Sequence, residues 1–192
     1  SFALPGTYHV KLIATSNDGC IDSINDPINV YAIPHVTTIV SKNIFCAGDS
    51  AQIIANALPG SGNIISYEWF KNGTIIPGSN TNMIKVKQSG KYYVSVTNSN
   101  GCSNNSIPDS LTLIPLQLGS ILPPSTYNIC AGNPVILSAT QGFNYQWYKN
   151  EIPIPAATSN TYPAYDSGKY TVKFTNQYGC VSMASNLVAL KL

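Results

Sequence analysis

Apolar and polar residues alternate with a period of two in three separate stretches of the chain. Tyr8, Val10 and Leu12 share one side of the first stretch, and Tyr92, Val94 and Val96 share one side of the second. In the third, Tyr170, Val172 and Phe174 point one way while Thr171, Lys173 and Thr175 point the other. This alternation predicts strands with one face turned to a core. No stretch of 11 or more residues carries a persuasive 3.6-residue period, and prolines are spread through the intervening segments, so the chain is predicted to be all-β. Asn72-Gly73 marks a tight hairpin turn. The Asn-x-x-Gly spacing at Asn98–Gly101 and Asn176–Gly179 predicts a second hairpin in each copy of a repeat.

That repeat is explicit. CAGDSAQIIA from Cys46 returns as CAGNPVILSA from Cys130, YEWFKNG from Tyr67 as YQWYKNE from Tyr145, and SGKYYVSVTNSNGC from Ser89 as SGKYTVKFTNQYGC from Ser167. Trp69 and Trp147, Tyr92 and Tyr170, and Cys102 and Cys180 are each 78 residues apart, whereas Cys46 and Cys130 are 84 apart. The first copy therefore carries six extra residues between its first cysteine and its tryptophan, assigned to the Gly/Pro-rich stretch Leu58–Ile65. PGTYHVKLIATSNDGC at Pro5–Cys20 matches only the tail of the repeat. The organisation read from this is residues 1–33 as the last two strands of an incomplete module, 34–115 as one domain and 116–192 as another, closed by NLVALKL as a finishing strand. Ile33-Pro34 and Ile114-Pro115 mark the junctions.

Composition narrows the function. Charged residues make up 9% of the chain, against about 25% in ordinary globular proteins. All ten basic residues are lysines, scattered singly, so the basic stripe and arginine forks of nucleic-acid binding are missing. No apolar run approaches the ~20 residues of a membrane span, which argues against direct membrane insertion. His9 lies on the polar side of its strand and His35 follows a junction proline, so neither joins a Ser/His/Asp set. Asp22 and Asp26 can meet across a turn, but as a solvated pair rather than a metal or acid/base site; no calcium loop, zinc spacing or phosphate-cradling glycine loop is present. The expectation is a non-enzyme with no cofactor.

Gly-x-x-x-x-Leu-x-Ala, then Tyr-x-Trp-Tyr-Lys-Asn, then Asp-Ser-Gly-x-Tyr-x-Val resembles the B, C and F strands of an immunoglobulin domain. The resemblance implies tandem immunoglobulin-like β-sandwich domains, Trp69 and Trp147 as buried strand-C tryptophans, and Tyr92 and Tyr170 as tyrosine-corner residues. The positions of the usual core disulfide hold Ala55/Val94 and Ala139/Val172 instead. Cys-x-Gly, a central Trp and a closing Gly-x-Tyr-x-Val-x-Val/Phe-Thr-Asn-x-x-Gly-Cys also resemble the Ig-like and PKD-like repeats of large secreted or cell-surface Bacteroidota proteins, including adhesin-like cargo of type IX secretion.

Five cysteines point to an oxidising compartment, with an odd one left over: Cys20, Cys46, Cys102, Cys130 and Cys180. Recurring order suggests Cys46–Cys102 and Cys130–Cys180. Immunoglobulin topology sets those residues at opposite ends of a sandwich, roughly 20–25 Å apart, where a disulfide needs Cα atoms within about 7 Å. The alternative is Cys46–Cys180 between copies, and both schemes stand at this point.

Three further features are candidates for binding or modification. Phe70 and Tyr148, each following its tryptophan, are expected on the outer sheet face, with Tyr93 beside Phe70; they form a possible ligand face or ordinary cross-strand pairs. The longer B–C loop of the first copy is a possible binding loop or a neutral insertion. Asp-Ser-Ile, Asp-Ser-Ala and Asp-Ser-Leu resemble the Asp-Ser/Thr-apolar O-glycosylation motif of Bacteroidota, with Ser23, Ser50 and Ser110 as acceptors. The expected role is an extracellular, cell-surface spacer, stalk, filament or adhesion segment of a larger protein. Its expected partners are neighbouring modules and surface glycans or surface proteins. A carbohydrate-binding accessory module of a secreted polysaccharide-degrading enzyme is the alternative.

Overall fold

The computed structural model describes residues 2, 4–124, 126–130, 132–184 and 186–191; Leu192, the last residue of the expected finishing strand, lies outside them. Every regular element among the described residues is a strand. The chain divides into two compact units, Ser1–Asn43 with Ala51–Leu111, and Ile44–Ser50 with Thr112–Leu192.

The first unit opens with a hairpin of β1 (Gly6–Thr15) and β2 (Ile21–Val30), paired antiparallel from Gly6↔Val30 to Thr15↔Ile21. Its turn is closed by the Gly19 amide donating to the Ser16 carbonyl at 3.0 Å. The alternation in β1 predicts one buried face, and here the structure differs: apart from half-buried Tyr8 and Val30, both strands are exposed throughout. Val10, Leu12, Ile24 and Ile28 remain in solvent, because a two-stranded ribbon has no second layer of its own to bury an apolar face.

The nine strands of the first copy are β3 (His35–Val40), β4 (Ile44–Cys46), β5 (Ala51–Leu58), β6 (Ile64–Lys71), β7 (Thr74–Ile75), β8 (Met83–Val86), β9 (Gly90–Asn98), β10 (Ser103–Asn105) and β11 (Asp109–Ile114). They form one sheet in the order β3-β5-β8 and another in the order β4-β11-β9-β6-β7, with β10 also on β9. The β4/β11 pairing is parallel, over Ile44–Cys46 and Thr112–Ile114. Alternation now does its expected work: Ala51, Ile53 and Ala55 of β5 and Tyr92, Val94 and Val96 of β9 are buried, with Trp69 of β6 fully enclosed.

The second copy repeats this with β12 (Ile121–Leu122), β13 (Tyr127–Asn128), β14 (Val135–Ala139), β15 (Asn144–Lys149), β16 (Ile152–Pro153), β17 (Thr161–Ala164), β18 (Gly168–Thr175), β19 (Val181–Met183) and β20 (Val188–Lys191). Its sheets run β12-β14-β17 and β13-β20-β18-β15-β16, again with a parallel pair at β13/β20. Leu137, Trp147, Ala164, Tyr170, Val172, Phe174 and Val188 make its core. A three-stranded sheet facing a six-stranded one, with a central tryptophan, is the immunoglobulin-like sandwich, present in tandem.

Candidate functional site

The core markers have matching hydrogen bonds in both copies. The Trp69 indole N–H donates to the Thr81 carbonyl at 2.8 Å, and the Trp147 indole N–H to the Ser159 carbonyl at 2.9 Å. The Tyr92 hydroxyl donates to the Gln88 carbonyl at 2.9 Å and the Tyr170 hydroxyl to the Asp166 carbonyl at 3.0 Å, both across four residues. Each large ring is thus buried with its one polar atom satisfied. Burial raises both phenols above their ordinary pKa; beside Tyr170 the Lys149 ammonium works against the rise. Val94 and Val172 are fully buried and Ala55 nearly so, while Ala139 is half-buried, so packing holds the place of a cross-sheet disulfide.

Of the five cysteines, Cys46 and Cys180 are bonded, with Cα atoms 5.4 Å apart, and Cys20, Cys102 and Cys130 are free thiols. The pairs Cys46–Cys102 and Cys130–Cys180 suggested by recurring order are therefore not formed. Both bonded residues lie in the second unit, which includes Ile44–Ser50 although the repeat assigns that stretch to the first copy. Local structure fixes each one. Cys46 ends β4 and accepts a hydrogen bond from the Asp49 amide at 3.0 Å in a turn where Gly48 takes φ +95°. Cys180 leaves the β18–β19 hairpin, its amide held by Asn176 Oδ1 at 3.0 Å. The free cysteines occupy equivalent settings: the Cys102 amide is held by Asn98 Oδ1 at 3.0 Å and the Cys20 amide by Ser16 Oγ at 3.2 Å, while Cys130 accepts from the Asn133 amide at 3.1 Å.

Phe70 and Tyr93 are direct cross-strand partners on β6 and β9, and their rings stack 4.8 Å apart, 4° from parallel. Tyr148 faces Thr171 across the β15/β18 register, and the Lys173 ammonium lies 5.0 Å from its ring centre. All three aromatics are half-buried. Ser23 and Ser110 are exposed on strands and Ser50 is half-buried before β5. The acidic neighbours of Ser23 and Ser110 are engaged locally: Asp22 Oδ1 accepts the Ser23 amide at 2.8 Å, and Asp109 Oδ2 accepts the Thr38 hydroxyl at 2.6 Å. His9 and His35 are exposed and 26 residues apart on separate sheets. Asp22 and Asp26 sit on one strand, opposite Ala14 and Val10 rather than each other. No group of three His, Cys, Asp or Glu side chains among the described residues converges on a metal position.

The two B–C loops differ. The long loop of the first copy is filled by its own polar groups. Asn98 Nδ2 donates to the carbonyls of Ala32 and Pro59, each at 3.0 Å, and Ser61 Oγ accepts the Ala32 amide at 2.9 Å. Ser99 exchanges backbone and side-chain hydrogen bonds with Asn63. In the second copy the loop is six residues shorter, and a cleft of about 490 Å³ opens there, lined by Ile114, Pro115, Gln117, Phe143, Tyr178 and neighbouring amide side chains. The sequence signal for it is loop length: the insertion plugs the end it extends, and the shorter loop leaves its end open.

Residues 34–115 match the model of an immunoglobulin-like domain family described as CHU_C associated. No curated protein sequence matches the chain. Among solved structures, the three N-terminal domains of the highly immunogenic outer capsid protein of bacteriophage RB49 are 23% identical over 82% of this chain, with a TM-score of 0.46; the chain spans 59% of that structure. The fibronectin(III)-like modules of Clostridium thermocellum CbhA are 12% identical over 81% of this chain and 93% of theirs, with a TM-score of 0.43. The N-terminal eight immunoglobulin domains of the Down syndrome cell adhesion molecule are 16% identical over 97% of this chain and 30% of theirs, with a TM-score of 0.37.

Proposed function

We propose that the chain is a non-catalytic, load-bearing extracellular segment of a larger surface protein, a spacer, stalk or filament part of the kind carried by secreted Bacteroidota adhesins. The observation that carries this reading is the Cys46–Cys180 bond, which spans 134 residues of sequence. Such a bond supports an oxidising location. It also defines a force path. Tension applied at the two ends of the chain passes from Cys46 through the sulfurs to Cys180, so the residues between them carry none of it. The domain boundaries 1–33, 34–115 and 116–192 belong to the same proposal, with the exposed apolar face of Val10, Leu12, Ile24 and Ile28 supporting residues 1–33 as the closing strands of a further module. Cys20, Cys102 and Cys130 are then the bonding residues toward neighbouring copies, and Ser23, Ser50 and Ser110 the O-glycan acceptors.

Single-molecule pulling tests the force path. Reduction of the oxidised chain should add about 440–480 Å to its extended length, 134 residues at ~3.3–3.6 Å each. An extended length that reduction leaves unchanged overturns the load-bearing reading. Intact mass of the native protein equal to that of the bare sequence removes the glycans.

A further inference from the structure

We propose that the cleft at the loop end of the second copy is a binding site for a short, uncharged oligosaccharide. Its volume, about 490 Å³, falls in the ~300–1,000 Å³ range of small-ligand sites. Its lining has the two complementary chemistries that a neutral sugar presents.

The first is aromatic. Phe143 on the B–C loop is 70% exposed and Tyr178 on the β18–β19 turn is 51% exposed, and both border the cleft. Large apolar rings left in solvent lose hydration free energy that burial against a partner recovers. Both rings are also carried by fixed backbone. The Phe143 amide donates to the Thr175 carbonyl at 2.7 Å, and the Tyr178 amide to Asn176 Oδ1 at 2.9 Å. The preceding Gly142 has φ +139°, and a Cβ there would come within 2.6 Å of the Tyr145 ring and 2.8 Å of Phe174 Cβ, so only glycine lets the loop lie this close to the sheet. The Tyr145 hydroxyl donates to the Gly142 carbonyl at 2.9 Å and completes the support. A backbone held this way adds little loop-ordering cost to binding.

The second chemistry is carboxamide. Gln117, Gln141 and Gln177 line the cleft, each able to donate and accept and so to meet hydroxyl groups in either sense. Among the described residues no lysine, aspartate or glutamate lines the cleft, so none of them selects a uronic acid, a phosphate or a charged peptide. The corresponding end of the first copy is occupied by Pro59, Gly60 and Ser61 against Ala32 and Ile33, which confines the site to one copy.

The test is calorimetric and NMR titration of the whole chain with cellohexaose, xylohexaose and mannohexaose, with oligogalacturonate as the charged counterpart. At least one neutral probe should bind with Kd of about 1 mM or tighter. Phe143→Ala and Tyr178→Ala should each weaken it about 10-fold, as expected for the loss of a ring at the centre of a small contact. Phe70→Ala and Tyr148→Ala, on the sheet face, should leave it unchanged. Both loop rings are exposed, so an unshifted melting temperature is expected and is measured alongside. Silence from all three neutral probes, binding that survives both loop variants, or a preference for oligogalacturonate or for an apolar peptide control would each overturn the proposal. None of these results bears on the pulling experiment.

Discussion

The two sandwiches share an interior and differ at one end. Trp69 and Trp147, with their acceptors twelve residues on, are interchangeable parts, as are the Tyr92 and Tyr170 corners. At the B–C end the first copy folds its longer loop back onto Ala32 and Asn98, while the second leaves Phe143 and Tyr178 around an open cleft. A shared interior thus sets the frame, and the length of one surface loop decides whether that end is sealed by the chain itself or left open.

The largest expected effect tests the sameness. Trp69→Ala and Trp147→Ala should each destabilise their own copy by about 3–5 kcal/mol, because each empties a fully buried site and strands a carbonyl. Urea unfolding should give equal losses within error; clearly unequal losses would mean the two cores are not equivalent.

The next tests the difference. Asn98 is fully buried and its side chain makes four hydrogen bonds, accepting from the amides of Asn100 and Cys102 and donating to the carbonyls of Ala32 and Pro59. Asn176 accepts from Tyr178 and Cys180 in the same way. Asn98→Ala should cost about 2–3 kcal/mol and Asn176→Ala about 1–2 kcal/mol, since more buried partners lose their bonds in the first copy. Equal costs would remove the claim that Asn98 seals its end of the sandwich.

High pH tests the sameness again. The folded state holds the Tyr92 and Tyr170 protons above the ordinary phenol value of about 10, so it is the unfolded chain that gives them up first. Their contribution is complete below that value and is lost as pH rises through the folded one. Both copies should therefore lose stability at alkaline pH, and Tyr92→Phe and Tyr170→Phe should each flatten that loss in pH-dependent denaturation.

The smallest effect lies in the C–C′ turn. Asn72-Gly73 in the first copy and Asn150-Glu151 in the second both adopt positive φ, at 50° and 84° and at 50° and 69°. A glutamate is strained there and a glycine is not, so Glu151→Gly should raise stability by up to about 1 kcal/mol in thermal unfolding. No gain would mean that Glu151 makes a compensating contact.

Period-two alternation and the 78-residue spacing predict the strands, the two tryptophans and the hairpins, since these follow from local pattern and turn chemistry. The same alternation misleads in β1, where Tyr8, Val10 and Leu12 have the pattern of a core strand and almost none of the burial. Pattern records which residues can face a core; only a second layer gives them one. The aromatics Phe70 and Tyr93 were legible as neighbours, but not as a closed stack, which depends on the β6/β9 register.

What the sequence determined by itself is the all-β sandwich interior, because alternating side chains, positive-φ turns and a repeated tryptophan leave few other ways to bury the apolar residues. What only the tertiary structure decided is which sulfurs meet and where the surface opens. Cys46 and Cys180 are 134 residues apart along the chain, yet their Cα atoms lie 5.4 Å apart in space. The cleft joins Gln117, Phe143 and Tyr178 from three separate segments. Proximity of that kind is set by how sheets stack and how far each loop reaches, and no local pattern in the chain encodes it.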